Sequence, residues 1–318
     1  MTPTQLRAFA TVVRLGSVKA AAVELAVSEA AVSMHVGQLR RELDDKLFTR
    51  ASSGLAFTPG GLRLAGRAVE ILGLQDRTVR EVNQAGHGRR QLRIASTSLF
   101  AEHGAPGLIE LFAGRADDLD VELSVRPTSQ FPALLAGRTV DIAIGPMSTG
   151  PPETLVEKPF LNYEIVAVAG PDHPSASRPM TAAQARSQVW MLGPSAVAED
   201  GVVPRMLRQL KIPESQQRIF QSDAGALEET RRTDGLALAV RFAVAADLVA
   251  GRLTIVEGPG MRAQGRWAAF TLQAHSQLPA AAELLRFITT PRATQAMVRG
   301  AGADAGRFRP AVHVTLWS

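Results

Sequence analysis

The 318-residue chain has no cysteine. That excludes disulfide staples, thiolate metal sites, cysteine nucleophiles and thiol-based redox sensing. No apolar stretch reaches the roughly 18 residues that a membrane helix needs, so no membrane partner is expected. The segment Met1-Thr2-Pro3-Thr4-Gln5 carries no basic run followed by an apolar core. No signal peptide is therefore expected, and the cytoplasm is the expected compartment. Internal repeats and low-complexity tracts are lacking. So are a Gly-x-Ser-x-Gly elbow and a His-Glu-x-x-His pair. His35, His87, His103, His173, His275 and His313 are scattered without metal-ligand spacing, so the expectation is no metal, no cofactor and no catalytic residue.

What is present is an uneven distribution of charge. The net charge is +5, with 46% hydrophobic and 20% charged residues, the balance of a folded globular protein. Residues 1–91 hold 13 Lys/Arg and 8 Asp/Glu, while residues 92–318 hold 22 of each. The whole excess sits at the N-terminal end, which points to an anionic partner for one domain.

The first 58 residues read as short helices with tight turns. Thr2 can cap a helix, Pro3 suits its first position and Gln5 stands at the capping-box position. Leu6, Phe9, Ala10 and Val13 then form one apolar stripe. Gly16 ends this helix and Ser17 caps the next, which carries Val18, Ala21, Ala22 and Leu25 at the same spacing. Ser28 caps a third helix, 29–41, whose buried face is expected to be Val32, Val36, Leu39 and Leu43. Residues 50–58 read as a hairpin. A long helix spans 59–84, apolar over so much of its girth through Leu62, Leu64, Ala65, Ala68, Val69, Ile71 and Leu72 that it needs a partner. Gly86-His87-Gly88 reads as the linker.

Two short helices, a three-residue turn and a supporting helix make a helix-turn-helix, although an ordinary three-helix bundle fits the same pattern. In the first reading the second helix lies in the DNA major groove and meets base edges with its N-terminal residues. Glu29, Ala30, Ser33, Met34 and Gly37 would face outward there. Lys19, Arg40, Arg41, Lys46 and Arg50 surround them as candidate phosphate contacts.

Beyond residue 91, apolar strands at 92–95, 121–125, 141–145, 165–169, 189–192, 236–240, 253–256 and 268–272 alternate with helical stretches. This is an α/β pattern with largely parallel sheets. Small anions bind where free N–H groups and the helix dipole meet at strand-to-helix switches. Ser96-Thr97-Ser98 is the best candidate for such a loop. Thr128-Ser129-Gln130, Gly193-Pro194-Ser195 and Ser222-Asp223 are further ones, and serines there also serve simply as caps. Glu228-Glu229 beside Arg231-Arg232 reads as a solvated helix face, and Trp190 as core. Residues 291–318 show no clear period and are expected to be a disordered tail.

The N-terminal segment closely resembles the winged helix-turn-helix of LysR-type transcriptional regulators. The shared positions are Leu6, Phe9, Gly16, Ser17, Ala21, Ala22, Leu25, Val27, Ser28, Val32, Ser33, Gln38, Leu39, the run Leu47-Phe48-x-Arg50, Thr58 and Gly61. The resemblance continues more weakly to about residue 290. It implies a winged helix-turn-helix DNA-binding domain over 1–58 and a dimerisation linker helix over 59–88. Residues 89–290 would form an effector-binding α/β domain of the type II periplasmic-binding-protein fold, with two lobes around a cleft. Residues 291–318 would be an extension of unknown role.

On this resemblance the DNA-binding residues are Ser28, Glu29, Ser33, Met34, Gly37, Arg40, Arg50 and Thr58. The effector-binding residues are Ser96, Thr97, Ser98, Ser129, Ser195 and Asp223. The expected partners are double-stranded promoter DNA, a small-molecule effector of anionic character, and further copies of the chain as a homodimer or tetramer. The sequence departs from the family at Glu29 and Ala30, where glutamine and proline are common. Met34 and Gly37 stand where Arg or Lys is frequent, and Asp44 where glycine is frequent. A carboxylate can accept from a cytosine amino group, and Met34 can touch a thymine methyl. The competing expectation is a cytoplasmic small-molecule-binding protein or α/β enzyme with an N-terminal interaction module.

Overall fold

The computed structural model describes residues 1–51, 54–148, 150, 154–176, 178–273, 277–300 and 312–315. The chain divides into two compact units, Met1–His87 with Ala136–Thr139, and Gly88–Leu135 with Val140–Ser318.

The first unit begins with α1 (Pro3–Leu15). The Thr2 hydroxyl accepts from the Gln5 N–H, the Gln5 side chain accepts from the Thr2 N–H, and Gly16 leaves the helix in the left-handed region at φ 64°. Ser17 caps α2 (Val18–Glu24) and Ser28 caps α3 (Glu29–Leu43), each accepting from an N–H three residues on. The wing is the antiparallel pair β1 (Phe48–Ala51) and β2 (Gly54–Phe57). Its turn residues 52 and 53 lie outside the described residues. Leu6, Phe9, Val12, Ala21, Val32, Val36, Leu39, Leu47 and Phe48 make one core, with Phe9 stacked on Phe48 at 6.2 Å. Leu43 does not join it. It sits in the last turn of α3 and is 42% exposed, because the chain turns away at Asp44.

The long helix α4 (Pro59–His87) runs through Gly86 and stops at Gly88, φ 66°. Its first turn sits close against the segment between α3 and β1, and at Gly61 the neighbour is backbone, so no side chain fits there. A Cβ on Gly61 would lie 1.9 Å from the Leu47 carbonyl oxygen, and one on Gly60 would lie 2.1 Å from Asp45 Oδ2. Ala68 and Leu72 bury against the core. Leu62, Val69, Ile71, Leu74, Val79 and Val82 stay exposed in the single chain.

The second unit opens with β3 (Arg90–Ser96), α5 (Ser98–His103), α6 (Ala105–Ala113), β4 (Leu119–Val125), α7 (Phe131–Ala136) and β5 (Ile142–Pro146). Next come β6 (Leu155–Ala169), α8 (Ala182–Ser187), β7 (Trp190–Leu192), α9 (Val202–Leu210), β8 (Gln217–Ile219) and α10 (Asp223–Arg232). It closes with β9 (Leu236–Val240), α11 (Ala245–Val249), β10 (Thr254–Ile255), β11 (Arg262–Leu272), α12 (Pro279–Phe287), α13 (Pro291–Arg299) and β12 (Val312–Thr315). The strand order is β12-β4-β3-β5-β11-β6-β9-β7-β8, with β10 on β6.

The sheet is parallel at both ends and antiparallel in the middle, a correction to the largely parallel expectation. The reason is the ribbon of β6 and β11. Leu155–Leu161 pairs with the half of β11 that borders β5, and the rest of β6 reaches β9. One lobe thus holds β3, β4 and β5, the other β7, β8 and β9, and two continuous strands pass between them. The register shifts at Trp267/Ala268, opposite Leu161 and Pro159. Phe100, Tyr163 and Phe242 pack on Trp267 there, at 5.1, 4.3 and 6.1 Å.

Trp190 is fully buried, its ring N–H donating to the Ala185 carbonyl at 2.9 Å. The Arg231 face is less solvated than expected, because its guanidinium bridges Glu228 and the largely buried Asp247. The expected disordered tail is corrected too. Thr290 caps α13, whose Ala293 and Met297 are buried, and α13 packs so tightly on α6 that a Cβ on Gly107 would lie 1.9 Å from the Ala296 carbonyl oxygen. β12 pairs in parallel with β4. Residues 301–311 and 316–318 lie outside the described residues.

Candidate functional site

Two groups of candidate residues are placed by the two units. On the first unit, α3 buries Val32, Val36 and Leu39 and turns Ser28, Glu29, Ala30, Ser33 and Met34 outward, all exposed. Gly37 is half-buried, with nothing within 4 Å of where a Cβ would stand. A helix N-terminus with free side chains over a packed face is the geometry that enters a groove. Ser28 is partly occupied, since its hydroxyl accepts from the Ala31 N–H at 3.1 Å.

Arg40 and Thr58, two of the expected DNA-binding residues, each have partners within the unit. The Arg40 guanidinium lies 4.6 Å from the Phe48 ring centroid and donates to the Phe48 carbonyl at 2.7 Å, tying α3 to the wing. The Thr58 hydroxyl donates to Asp45 Oδ1 at 2.7 Å and accepts from the Gly61 N–H at 2.9 Å, so it starts α4 and anchors the turn after α3. These bonds hold the Asp45 carboxyl below the usual range, through the Thr58 hydroxyl first and the Leu47 N–H second. Arg50 stands in β1 opposite Leu55, and its side chain lies outside the described residues.

On the second unit, β3 ends at Ser96, which is fully buried, its hydroxyl 3.3 Å from the Thr97 carbonyl. Thr97 has the backbone of an N-cap and its N–H donates to Ile144, yet its hydroxyl caps nothing and is buried without a partner. Ser98 opens α5. That helix packs on the turn Pro194–Val197, which contains the buried Ser195. Asp223, 5% exposed, begins α10 behind the Ser222 cap. Gly193 makes room for it, because a Cβ there would lie 1.7 Å from Asp223 Oδ1. Ser96, Thr97, Ser98, Ser195 and Asp223 therefore surround the meeting of α5 with the second lobe. Ser129 is exposed in the turn Thr128–Gln130, and no described hydrogen bond ties it to α5 or α10.

The folded chain adds two residues that sequence spacing missed. Glu102 reaches from α5 to the start of α10, where its two oxygens lie 2.9 and 3.1 Å from the Asp223 N–H. His103 Nε2 lies 3.5 Å from Asp223 Oδ2. Burial, then the neighbouring Asp223 carboxylate, pushes Glu102 up to about 7, against the pull of the Asp223 N–H and His103. Glu102 and His103 are adjacent in sequence, but their partner is 121 positions from Glu102, so no local motif marks them.

An exposed recognition helix with a wing, followed by a two-lobed α/β unit, defines a DNA-binding regulator with a ligand-sensing domain. The chain matches the family model for the bacterial regulatory helix-turn-helix protein, lysR family, over residues 3–62, and that for the LysR substrate binding domain over residues 85–291. It is 61% identical over 321 residues to the Mycobacterium tuberculosis HTH-type transcriptional regulator Rv0377, covering 100% of both chains. It is 27% identical over 298 residues to the RuBisCO operon transcriptional regulator of Allochromatium vinosum, covering 91% of this chain and 96% of that one. The solved structure of ArgP from Mycobacterium tuberculosis shares the fold at TM-score 0.60 and 19% identity, over 90% of this chain and 97% of that one. Full-length LysG from Corynebacterium glutamicum, with the effector Arg bound, does so at 0.56 and 21%, over 95% and 98%. The chain belongs to the LysR family of transcriptional regulators: it is a DNA-binding regulator with a substrate-binding domain. Among the described residues, no helix is long and apolar enough to cross a membrane.

Proposed function

We propose that the chain reads promoter DNA with the outward face of α3 and with the wing, and that a small-molecule effector bound between the lobes sets how it does so. The observation that carries the DNA reading is the division of α3, with Ser33 and Met34 exposed on one side and Val32, Val36 and Leu39 buried on the other. Ser28, Glu29, Ser33 and Met34 meet base edges, Arg50 meets phosphate from the wing, and Gly37 allows close approach. Residues 1–58 form the DNA-binding domain and α4 joins two chains. Leu62, Val69, Ile71, Leu74, Val79 and Val82 supply an apolar surface for that pairing. Two such pairs make the tetramer. The effector domain extends from residue 89 through α13, with Ser96, Thr97, Ser98, Ser195 and Asp223 at its ligand site and Ser129 on its rim. The chain works in the cytoplasm by binding alone, without catalysis. An effector shifts the regulator only by binding two lobe arrangements unequally.

Footprinting the full-length protein on its own upstream DNA, across a salt series, tests the DNA reading. Protection of a dyad-symmetric site, weakening steeply as salt rises, is expected. Ser33→Ala and Met34→Ala are each expected to cost about 1–3 kcal/mol at one base position and little at others. A uniform loss across all operator variants would remove these residues from base readout.

A further inference from the structure

The lobe contact gathers two carboxylates and an imidazole with no cation among them. Ligand atoms of Glu102, His103 and Asp223 all lie within 4.8 Å of one another. His103 and Asp223 are 9% and 5% exposed, and Asp223 Oδ2 is buried without a hydrogen-bond partner. Among the described residues, no lysine or arginine pairs with Glu102 or Asp223. Carboxylates gathered this closely call for a counter-charge.

The spacing of His103 and Asp223 fits a metal better than a hydrogen bond. At 3.5 Å, His103 Nε2 and Asp223 Oδ2 are too far apart for a good N–H···O bond, whose usual range ends near 3.2 Å. Two ligands each about 2.1 Å from a tetrahedral ion stand about 3.4 Å apart. Imidazole nitrogen with carboxylate oxygen suits first-row divalent transition metals rather than calcium or magnesium. Glu102 is already oriented, since Oε2 accepts the Asp223 and Ala224 N–H groups at 2.9 and 3.4 Å, while Oε1 accepts only the Asp223 N–H at 3.1 Å and keeps a lone pair for a metal.

We propose that a divalent first-row transition-metal ion binds between the lobes of the α/β unit on Glu102, His103 Nε2 and Asp223 Oδ2, clamping α5 to the start of α10. Glu102 and His103 belong to one lobe and Asp223 to the other, so the ion stabilises the closed arrangement only. The proposal deepens the reading of this cleft as the effector site and rests on it. It makes the ligand that closes the cleft cationic rather than anionic.

Chelator-treated full-length protein titrated with CoCl2 gives the test, because cobalt in a nitrogen and oxygen site absorbs visibly. One equivalent per chain is expected, reversed by chelator and displaced by ZnCl2, with a rise in melting temperature. His103→Gln and Asp223→Asn should each weaken binding by more than the roughly 10–100-fold that loss of a mere supporting partner costs, while His35→Gln changes nothing. No visible band in the wild type at millimolar cobalt overturns the proposal, without recourse to variants. A band that survives in both variants also overturns it. Putrescine and guanidinium run in parallel, and stabilisation by either without any response to metals shows an organic-cation site instead and rejects the metal. Footprinting the same samples separates the two readings. DNA protection without metal binding sinks the metal site alone, and metal binding without DNA protection sinks the DNA reading alone.

Discussion

In the first unit the residues proposed to touch a partner stand outside a small core, and in the second all but the rim residue Ser129 are buried or half-buried. Ser33 and Met34 project from α3 over buried Val32, Val36 and Leu39. Ser96, Ser195 and Asp223 are buried where α5 meets the other lobe. An exposed reading surface tolerates exchange of its contact residues, because folding does not depend on them. A buried polar cluster couples ligand and fold, because every group there must be satisfied by protein or by what binds. Evolution can retune the first without disturbing the second.

The largest effect is expected from emptying each core in turn. Phe9 and Trp267 are both 0% exposed, one at the centre of the helical unit and one where β11 crosses between lobes. Phe9→Ala and Trp267→Ala should each cost about 3–5 kcal/mol. Scanning calorimetry of the full chain is expected to show two transitions, since separate units need not unfold together. Phe9→Ala lowers only the first unit's transition and abolishes DNA binding. Trp267→Ala lowers only the other and leaves DNA binding by the first unit in place. If both variants moved both transitions equally, the division into independent units would be wrong.

Legibility in sequence follows the same division. The first unit is punctuated locally: Thr2, Gln5, Gly16, Ser17 and Ser28 each act within four residues, so caps and stops can be read off directly. Period alone places Leu43 in the core, whereas the left-handed turn at Asp44 takes it out. In the second unit the central strands were readable and their extensions were not. The 165–169 part of β6 is a run of buried apolar residues, but its first half carries Glu157, Lys158 and Asn162 because it forms a ribbon with β11 that is covered on fewer sides. The signal for α13 was present in Thr290, Pro291 and the pair Ala293 and Met297, and was diluted by the glycine-rich segment after it. The serine loops were visible as strand-to-helix switches. Glu102 and His103 were invisible, because their meaning depends on Asp223 from the other lobe.

A smaller effect tests whether the reading surface is held by its flank. Thr58 ties the turn after α3 to the start of α4 through Asp45 and the Gly61 N–H. Thr58→Ala should cost about 1–2 kcal/mol as a lost cap and tie. The Asp45 carboxyl is lowered in the folded state, so its stabilising contribution is complete above the unfolded pKa and is lost as pH falls through the folded value. The gap between wild type and Thr58→Ala in urea unfolding is therefore wide at neutral pH and narrows in acid. A gap independent of pH would mean that Thr58 acts through the Gly61 N–H alone.

The smallest effect comes from Asp44, at the end of the reading helix. It is exposed and sits at φ 50° and ψ 38°, a conformation that glycine adopts without strain and that aspartate tolerates. Its negative charge also stands at the C-terminus of α3, where the helix dipole favours cations. Asp44→Gly relieves both, and gives part of the gain back through the greater freedom of the unfolded chain. The net expectation is a stabilisation of about 0.5–1 kcal/mol, read as a raised transition for the first unit alone. Because Asp44 touches neither the buried face of α3 nor its N-terminal turn, base preference should not change. A shift in operator preference without a gain in stability would show that Asp44 belongs to the reading surface, and the line between the contacts and their support would move one turn beyond Arg40.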